Sequence, residues 1–273
     1  MLKKVGLLGC GAIGTQIALA IDSGKIPAEL THIYDFDQAK SEALFARLGK
    51  KPIIVENPHL VSSNDVSLVV EAASQDAVKN HALSILQNRK DLMIMSVGAL
   101  LDESVFEILF DACKEFGKKI YLPSGAIAGL DSIKSVKDEL ELVTLVTTKS
   151  PKALAGAKFF DTHKIDLAGI KEKTTIFEGM AKEAVTQFPA NINVAALLSL
   201  AGLGSTKTMV RIVADPNTDR NTHQIEARGK FGKISILVEN VPDPSNPKTS
   251  RLAILSAIEC LRAICTDDIR IGT

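Results

Sequence analysis

The chain has 273 residues, enough for two domains at roughly 100–200 residues each. Apolar residues make up 46% and charged residues 23%, an ordinary balance for a soluble protein with a buried core. Lys plus Arg equals Asp plus Glu at 32 each, and there is no Trp, so neither charge nor aromatic surface favours nucleic acid or an anionic membrane as a partner.

In the first half, short apolar runs alternate with helical patterns. The runs are Val5 to Leu8, Leu30 to Tyr34, Ile53 to Val55, Leu68 to Val70, Leu92 to Val97 and Ile120 to Leu122. Continuous apolar runs suit strands buried on both faces of a parallel sheet. The helices predicted between them are Ile13 to Ile21, Asp37 to Leu48, Gln75 to Asn88 and Glu103 to Phe116. This alternation predicts a Rossmann-type, doubly wound α/β domain.

Gly9-Cys10-Gly11-Ala12-Ile13-Gly14 lies between the first strand and the first helix. Gly9 allows the tight turn, Gly11 lets a pyrophosphate approach the backbone, and Gly14 lets helix and strand pack closely. The free N–H groups of Ala12, Ile13 and Gly14 at the helix start then face the phosphates. Asp35 ends the second strand, 21 residues beyond Gly14. Its carboxylate suits ribose hydroxyls and repels a 2′-phosphate, so NAD is the expected cofactor, with NADP a second, less favoured one. Asp37 competes for that role but is read rather as the cap of the following helix, and Cys10 is read as a small filler of the turn. Ser96 closes a strand on the ligand edge of the sheet, and Glu71 ends another there without an assigned role.

After Leu122 the texture changes. Pro123 to Gly129 is small and turn-forming, a crossover into a helix near Leu130 to Val136. Leu140 to Thr148 reads as a strand, Phe177 to Gln187 as a short helix, Val194 to Leu203 as a buried helix and Thr208 to Ala214 as a strand. His223 to Arg228 and Lys233 to Val238 form a hairpin around Gly229-Lys230-Phe231-Gly232, with His223, Ile225 and Ala227 on one face. This is an α+β domain with an open mixed sheet and helices on one side. Asp243 to Ser250 reads as a polar linker, and Thr249 or Ser250 caps a final amphipathic helix, Arg251 to Cys265, that returns to the first domain. The expected boundaries are 1–122 plus 249–273 for dinucleotide binding, and 123–248 for catalysis and dimerisation.

The strings Gly9-Cys-Gly-Ala-Ile-Gly14, Ser96-Val-Gly-Ala-Leu100, Pro123-Ser-Gly-Ala-Ile-Ala-Gly-Leu-Asp131, Phe177-Glu-Gly179, Phe188-Pro-Ala-Asn-Ile-Asn-Val-Ala-Ala196, Asp215-Pro216, His223 and Asn246-Pro-Lys-Thr-Ser250 run in order along nearly the whole chain. In these the sequence resembles the L-aspartate dehydrogenase family. The resemblance implies NAD(P)-dependent interconversion of L-aspartate with oxaloacetate and ammonia through iminoaspartate, a link to NAD biosynthesis, and a homodimer. It also implies a catalytic histidine at His223, with Ala126, Asn191 and Asn193 near the cofactor. The stretch after Thr148, Lys149-Ser150-Pro151-Lys152, is less basic than the family pattern expects.

Of the five histidines, His32, His59 and His81 lie in the first domain, while His163 and His223 are equal candidates by position. A histidine suits this chemistry because its ordinary pKa lies near neutrality. Lys248, Thr249 and Ser250 combine a cation with helix N-terminal N–H groups and are candidates for a substrate carboxylate, although an ordinary helix cap explains them equally well. The four cysteines form no CxxC pair, and there is no HxxxH or HExxH, so no metal site is expected. A reducing, cytoplasmic setting follows from the cysteines, the lack of a leader-like N-terminus and the lack of a long apolar stretch. The alternatives are a homoserine dehydrogenase-like enzyme and a sensor that binds NAD without chemistry.

Overall fold

The computed structural model describes residues 2–188, 193–244 and 246–266. The side chains of Pro247 and Lys248 also lie outside the description. The described residues divide into two compact units, one of residues 2–123 with 254–266, the other within Ser124–Ala253.

The first unit contains β1 (Lys3–Leu8), α1 (Ala12–Asp22), β2 (Ala28–Tyr34), α2 (Gln38–Arg47), β3 (Ile53–Ile54), β4 (Leu68–Glu71), α3 (Gln75–Gln87), β5 (Asp91–Ile94), α4 (Glu103–Phe116) and β6 (Ile120–Tyr121). The strands pair in parallel in the order β3-β2-β1-β4-β5-β6, the doubly wound arrangement expected from the sequence. The order reverses between β1 and β4, and their carboxyl ends flank the glycine turn. All four residues of β4 are buried, which explains why it reads as a continuous apolar run. Asp37 caps α2 by accepting the N–H of Ala39 at 3.2 Å.

One strand stops earlier than the sequence suggests. Leu92 to Val97 is not all extended: β5 ends at Ile94, and Val97–Leu101 forms a tight 3₁₀ turn. Glu71 causes the bend, by accepting both the N–H and the hydroxyl of Ser96.

The second unit contains α5 (Leu130–Ser135), β7 (Leu140–Lys149), α6 (Pro151–Leu154), α7 (Phe159–Thr162), β8 (Thr174–Met180), α8 (Ala181–Gln187), α9 (Asn193–Ala201), β9 (Thr208–Ala214), β10 (Asn221–Gly229), β11 (Gly232–Asn240), β12 (Pro242–Asp243) and β13 (Asn246–Ser250). Its sheet runs β11-β10-β7-β9-β8, with β7 and β9 parallel and the other pairs antiparallel. This is the mixed sheet expected. One face packs Val143, Leu145, Val210, Ile212, Ile225 and Ala227 against Ile133, Ala184, Phe188 and Leu198 of the helical layer. The last helix, α10 (Arg251–Cys265), buries Ala257 and Leu261 in the core around β1, within the first unit.

Two expectations here are corrected. Phe177, Glu178 and Gly179 are strand, not helix; only Ala181–Gln187 is helical. Phe177 pairs with Ile212, and Glu178 binds Arg211 across the strands at 2.8 Å, so sheet pairing overrides local propensity. Asp243 to Ser250 is not a bare linker, because β12 and β13 pair as a small ribbon leading into α10.

Candidate active site

The glycine turn of the first unit has the shape of a pyrophosphate cradle. Gly9 sits at φ +103, with the Ala72–Ala73 backbone where a Cβ would project. A Cβ on Gly14 would strike the carbonyl oxygen of Gly9. At Gly11 the added Cβ would meet nothing within 4 Å, so that side of the turn is open for a ligand. No side chain caps the start of α1 and no acid lies in its first turn. The half-buried Ala12 and Ile13 therefore begin a helix whose positive end is not neutralised. These features fit a dinucleotide.

Asp35 follows β2, and its Oδ2 accepts the N–H of Cys10 at 2.7 Å while Oδ1 accepts that of Asp37 at 2.9 Å. The next residue, Phe36, is 95% exposed. Cys10 is buried, and burial pushes its thiol up to about 11, which suits a filler rather than a reactive thiolate. Ser96 is committed to Glu71: its N–H donates to Oε2 at 3.0 Å and its hydroxyl to Oε1 at 2.8 Å. Glu71 also accepts the N–H of Ala73 at 2.8 Å, and burial raises its pKa. The carboxyl thus braces the loop that packs on Gly9, a role the sequence did not reveal.

In the second unit, polar side chains gather at one end of an otherwise apolar sheet face. His223 on β10 pairs with Thr147 on β7, and its Nδ1 shares a 3.0 Å hydrogen bond with Thr147 Oγ1. Nε2 makes no hydrogen bond among the described residues. Lys149, two residues beyond Thr147 on the same face, is buried. Burial first, and then the Lys149 charge, push the His223 pKa down to about 3. Burial lowers Lys149 to about 8. Asn221, two residues before His223, is buried too, with its Nδ2 at 3.5 Å from Ser250 Oγ.

His163 has different surroundings. It is exposed and stacks on Phe159 with ring centroids 4.0 Å apart, at the rim of an aromatic cluster that includes Phe188. Ala126 is buried, and its carbonyl accepts from Asn240 Nδ2 at 2.9 Å, so Asn240 pins the crossover segment. Asn193 opens α9 and is exposed. Asn191 lies outside the described residues, as does the side chain of Lys248. Thr249 is half-buried in β13, and Ser250, beside Asn221, is buried. Asn240 is the polar residue that sequence reasoning missed, and Lys149 enters it only as part of the stretch after Thr148, without a site role. Both sit in strands whose neighbours are distant in the chain, and only the pairing brings them to this end.

Among the described residues no group of three or more His, Cys, Asp and Glu is placed to hold a metal ion. Among them, too, no helix is long and apolar enough to cross a membrane.

A parallel dinucleotide-binding sheet joined to a mixed-sheet unit with a buried histidine defines a two-domain NAD-linked oxidoreductase. Comparison with known proteins narrows the class. The family model described as aspartate dehydrogenase, C-terminal, matches residues 131–264, and that described as homoserine dehydrogenase, NAD binding domain, matches residues 9–123. An L-aspartate dehydrogenase of Nitrosopumilus maritimus (strain SCM1) is 66% identical over 272 residues, covering 100% of both chains. Another, of Methanocella arvoryzae, is 47% identical over 271 residues and 99% of each chain. The crystal structure of aspartate dehydrogenase from Thermotoga maritima superposes with a TM-score of 0.76 at 31% identity, covering 99% of this chain and 100% of that one. The chain belongs to the L-aspartate dehydrogenase family. A homoserine dehydrogenase from Thiobacillus denitrificans shares the fold over 98% of this chain and 75% of its own, with a TM-score of 0.63 at 13% identity.

Proposed function

We infer that this enzyme interconverts L-aspartate with oxaloacetate and ammonia through iminoaspartate, using NAD. The first unit holds the dinucleotide and the second supplies the chemistry. The observation that carries this reading is His223, buried, braced at Nδ1 by Thr147, in a chain of this family.

NAD, when bound, would supply the hydride acceptor for the substrate Cα. The glycine turn receives the pyrophosphate, Asp35 the ribose hydroxyls, and Phe36 offers a flat apolar face to the adenine. Ala126, Asn193 and Asn191 belong to the cofactor's surroundings in this reading, and Ser96 contributes backbone rather than its committed hydroxyl. With its pKa pressed down, His223 is neutral at pH 7, the form that takes a proton from the water adding to the imine carbon. In the reverse direction the same Nε2 returns the proton to the carbinolamine oxygen as water leaves. The positive charge that His223 gains is offset by the substrate's own carboxylates. A sensor without chemistry would have no use for a buried histidine held in this way.

The test uses purified protein with NADH, ammonia and oxaloacetate, followed at the nicotinamide absorbance. Ammonia-dependent oxidation of NADH is expected, and its absence overturns the reading. A homodimer, a cytoplasmic location, a supply of iminoaspartate to NAD biosynthesis and weaker use of NADP complete the proposal. Light scattering tests the first of these.

A further inference from the structure

The core-facing side of β7 and β10 changes character along its length. Val143 and Leu145 on β7, with Ile225 and Ala227 on β10, are apolar and buried. Toward one end the same face carries Thr147 and Lys149 on β7, and His223 and Asn221 on β10. Lys149 is only 4% exposed and Asn221 2%. Taking an ammonium out of water costs several kcal/mol, so a buried lysine is weak evidence for stability alone. Lys149 engages a neighbour in the fold, and its charge acts on His223, which places the two side chains near one another.

Beyond Asn221 the face opens into a pocket of about 360 Å³. Its wall includes Ser150, Lys152, Arg220, Asn221 and Asn246, and one acid, Asp219. Asp219 is 89% exposed at the side chain and 3.4 Å from Arg220 Nε, an exposed pair that holds Arg220 only weakly. Asn221 belongs both to the buried row and to the pocket. Lys152 and Arg220 line this pocket, while Lys149 and His223 lie in the buried row that shares Asn221 with it.

We propose that Lys149 binds the carboxylate attached to the reacting carbon, and that the Lys152–Arg220 pocket binds the side-chain carboxylate, so that the second unit selects a dicarboxylate. This rests on the activity proposed above. His223 must reach the reacting carbon, and the carboxylate one bond away then falls to the nearest cation. The distal carboxylate extends toward the open pocket, where two cations outnumber the single acid. A carboxylate beside Lys149 also restores its full protonation, which burial has weakened.

The experiment measures NADH binding by nicotinamide fluorescence, oxaloacetate turnover with ammonia, and competitive inhibition by succinate and by propionate, which keeps one carboxylate. The wild type is expected to prefer succinate. Lys149→Met should lower kcat/KM for oxaloacetate about 10- to 100-fold and weaken both inhibitors, with NADH affinity unchanged and Tm not lowered. Lys149→Arg should recover part of the loss. The double variant K152Q/R220Q, on the surface and folding normally, should cut the succinate-over-propionate preference about tenfold and leave propionate alone. A wild type without ammonia-dependent turnover defeats the proposed activity. An active wild type without a succinate preference, or one whose preference survives K152Q/R220Q, defeats this inference, as does unchanged turnover in Lys149→Met. If Lys149→Met fails to fold, Lys149 is a structural cation and its assignment falls.

Discussion

Asp35 Oδ2 accepts the backbone N–H of Cys10, so the acid expected to meet the ribose also braces the glycine turn, at 2.7 Å. A substitution there changes two things at once, and the two separate by readout. Asp35→Ser should raise the NADP-to-NAD ratio of kcat/KM at least tenfold, because the carboxylate that repels a 2′-phosphate is gone. Affinity for both cofactors should fall as the turn loosens. Asp35→Asn keeps an acceptor for Cys10 and should lose less affinity while shifting the ratio in the same direction. A ratio unmoved by either variant removes Asp35 from the ribose site.

Gly11 and Gly14 separate ligand space from packing space. A Cβ on Gly14 collides with the carbonyl of Gly9, and that backbone cannot yield without opening the turn. Gly14→Ala should therefore lower Tm by several degrees and abolish NADH binding together. At Gly11 a Cβ meets no protein atom within 4 Å, and φ is −70. Gly11→Ala should leave Tm within a degree and weaken NADH at least tenfold. Thermal melts with and without NADH check both. A destabilised Gly11→Ala would mean that its open side is not ligand space.

What could be read in advance follows the range of the forces involved. The glycine turn, the Asp37 cap and the parallel strands are specified by neighbours a few residues apart, and the sequence shows them directly. Phe177 to Gly179 was misread because its strand exists only through pairing with β9. Position alone left His163 level with His223. The structure separates their surroundings through contacts invisible to spacing: stacking on Phe159 for one, and Thr147, 76 residues away, for the other. Lys149 stands in a strand that reads as ordinary until β10 is laid beside it.

The depressed pKa of His223 has a consequence for stability. The folded ring stays neutral down to about 3, while in the unfolded chain it protonates near 6.5. Between those values the unfolded state binds the extra proton. Its effect is absent above about pH 6.5 and grows as pH falls, at up to about 1.4 kcal/mol per pH unit. Urea midpoints of the wild type and His223→Leu, compared from pH 7.5 to 4.5, isolate this contribution from that of the carboxylates. The variant should lose less stability on acidification. His223→Ala should also lose turnover by at least 100-fold while binding NADH normally. Parallel acid profiles for wild type and His223→Leu would show that the ring is not held neutral.

Thr147 offers the finest test of how His223 works. Its hydroxyl engages Nδ1 at 3.0 Å and so holds the ring plane; in the proposed mechanism Nδ1–H donates to that hydroxyl, which leaves Nε2 as the base. Thr147→Val keeps the β-branched shape in the strand and removes only that bond. The ring then turns more freely, and Nε2 spends less time in the productive form. We expect kcat to fall about 10- to 100-fold with KM for oxaloacetate and NADH affinity little changed, because the loss bears on proton transfer rather than binding. In the background of His223→Ala the same substitution should cost almost nothing further, since Thr147 acts through the ring it holds. If instead the two losses multiply, Thr147 contributes to the reaction independently of His223 and contacts the substrate itself.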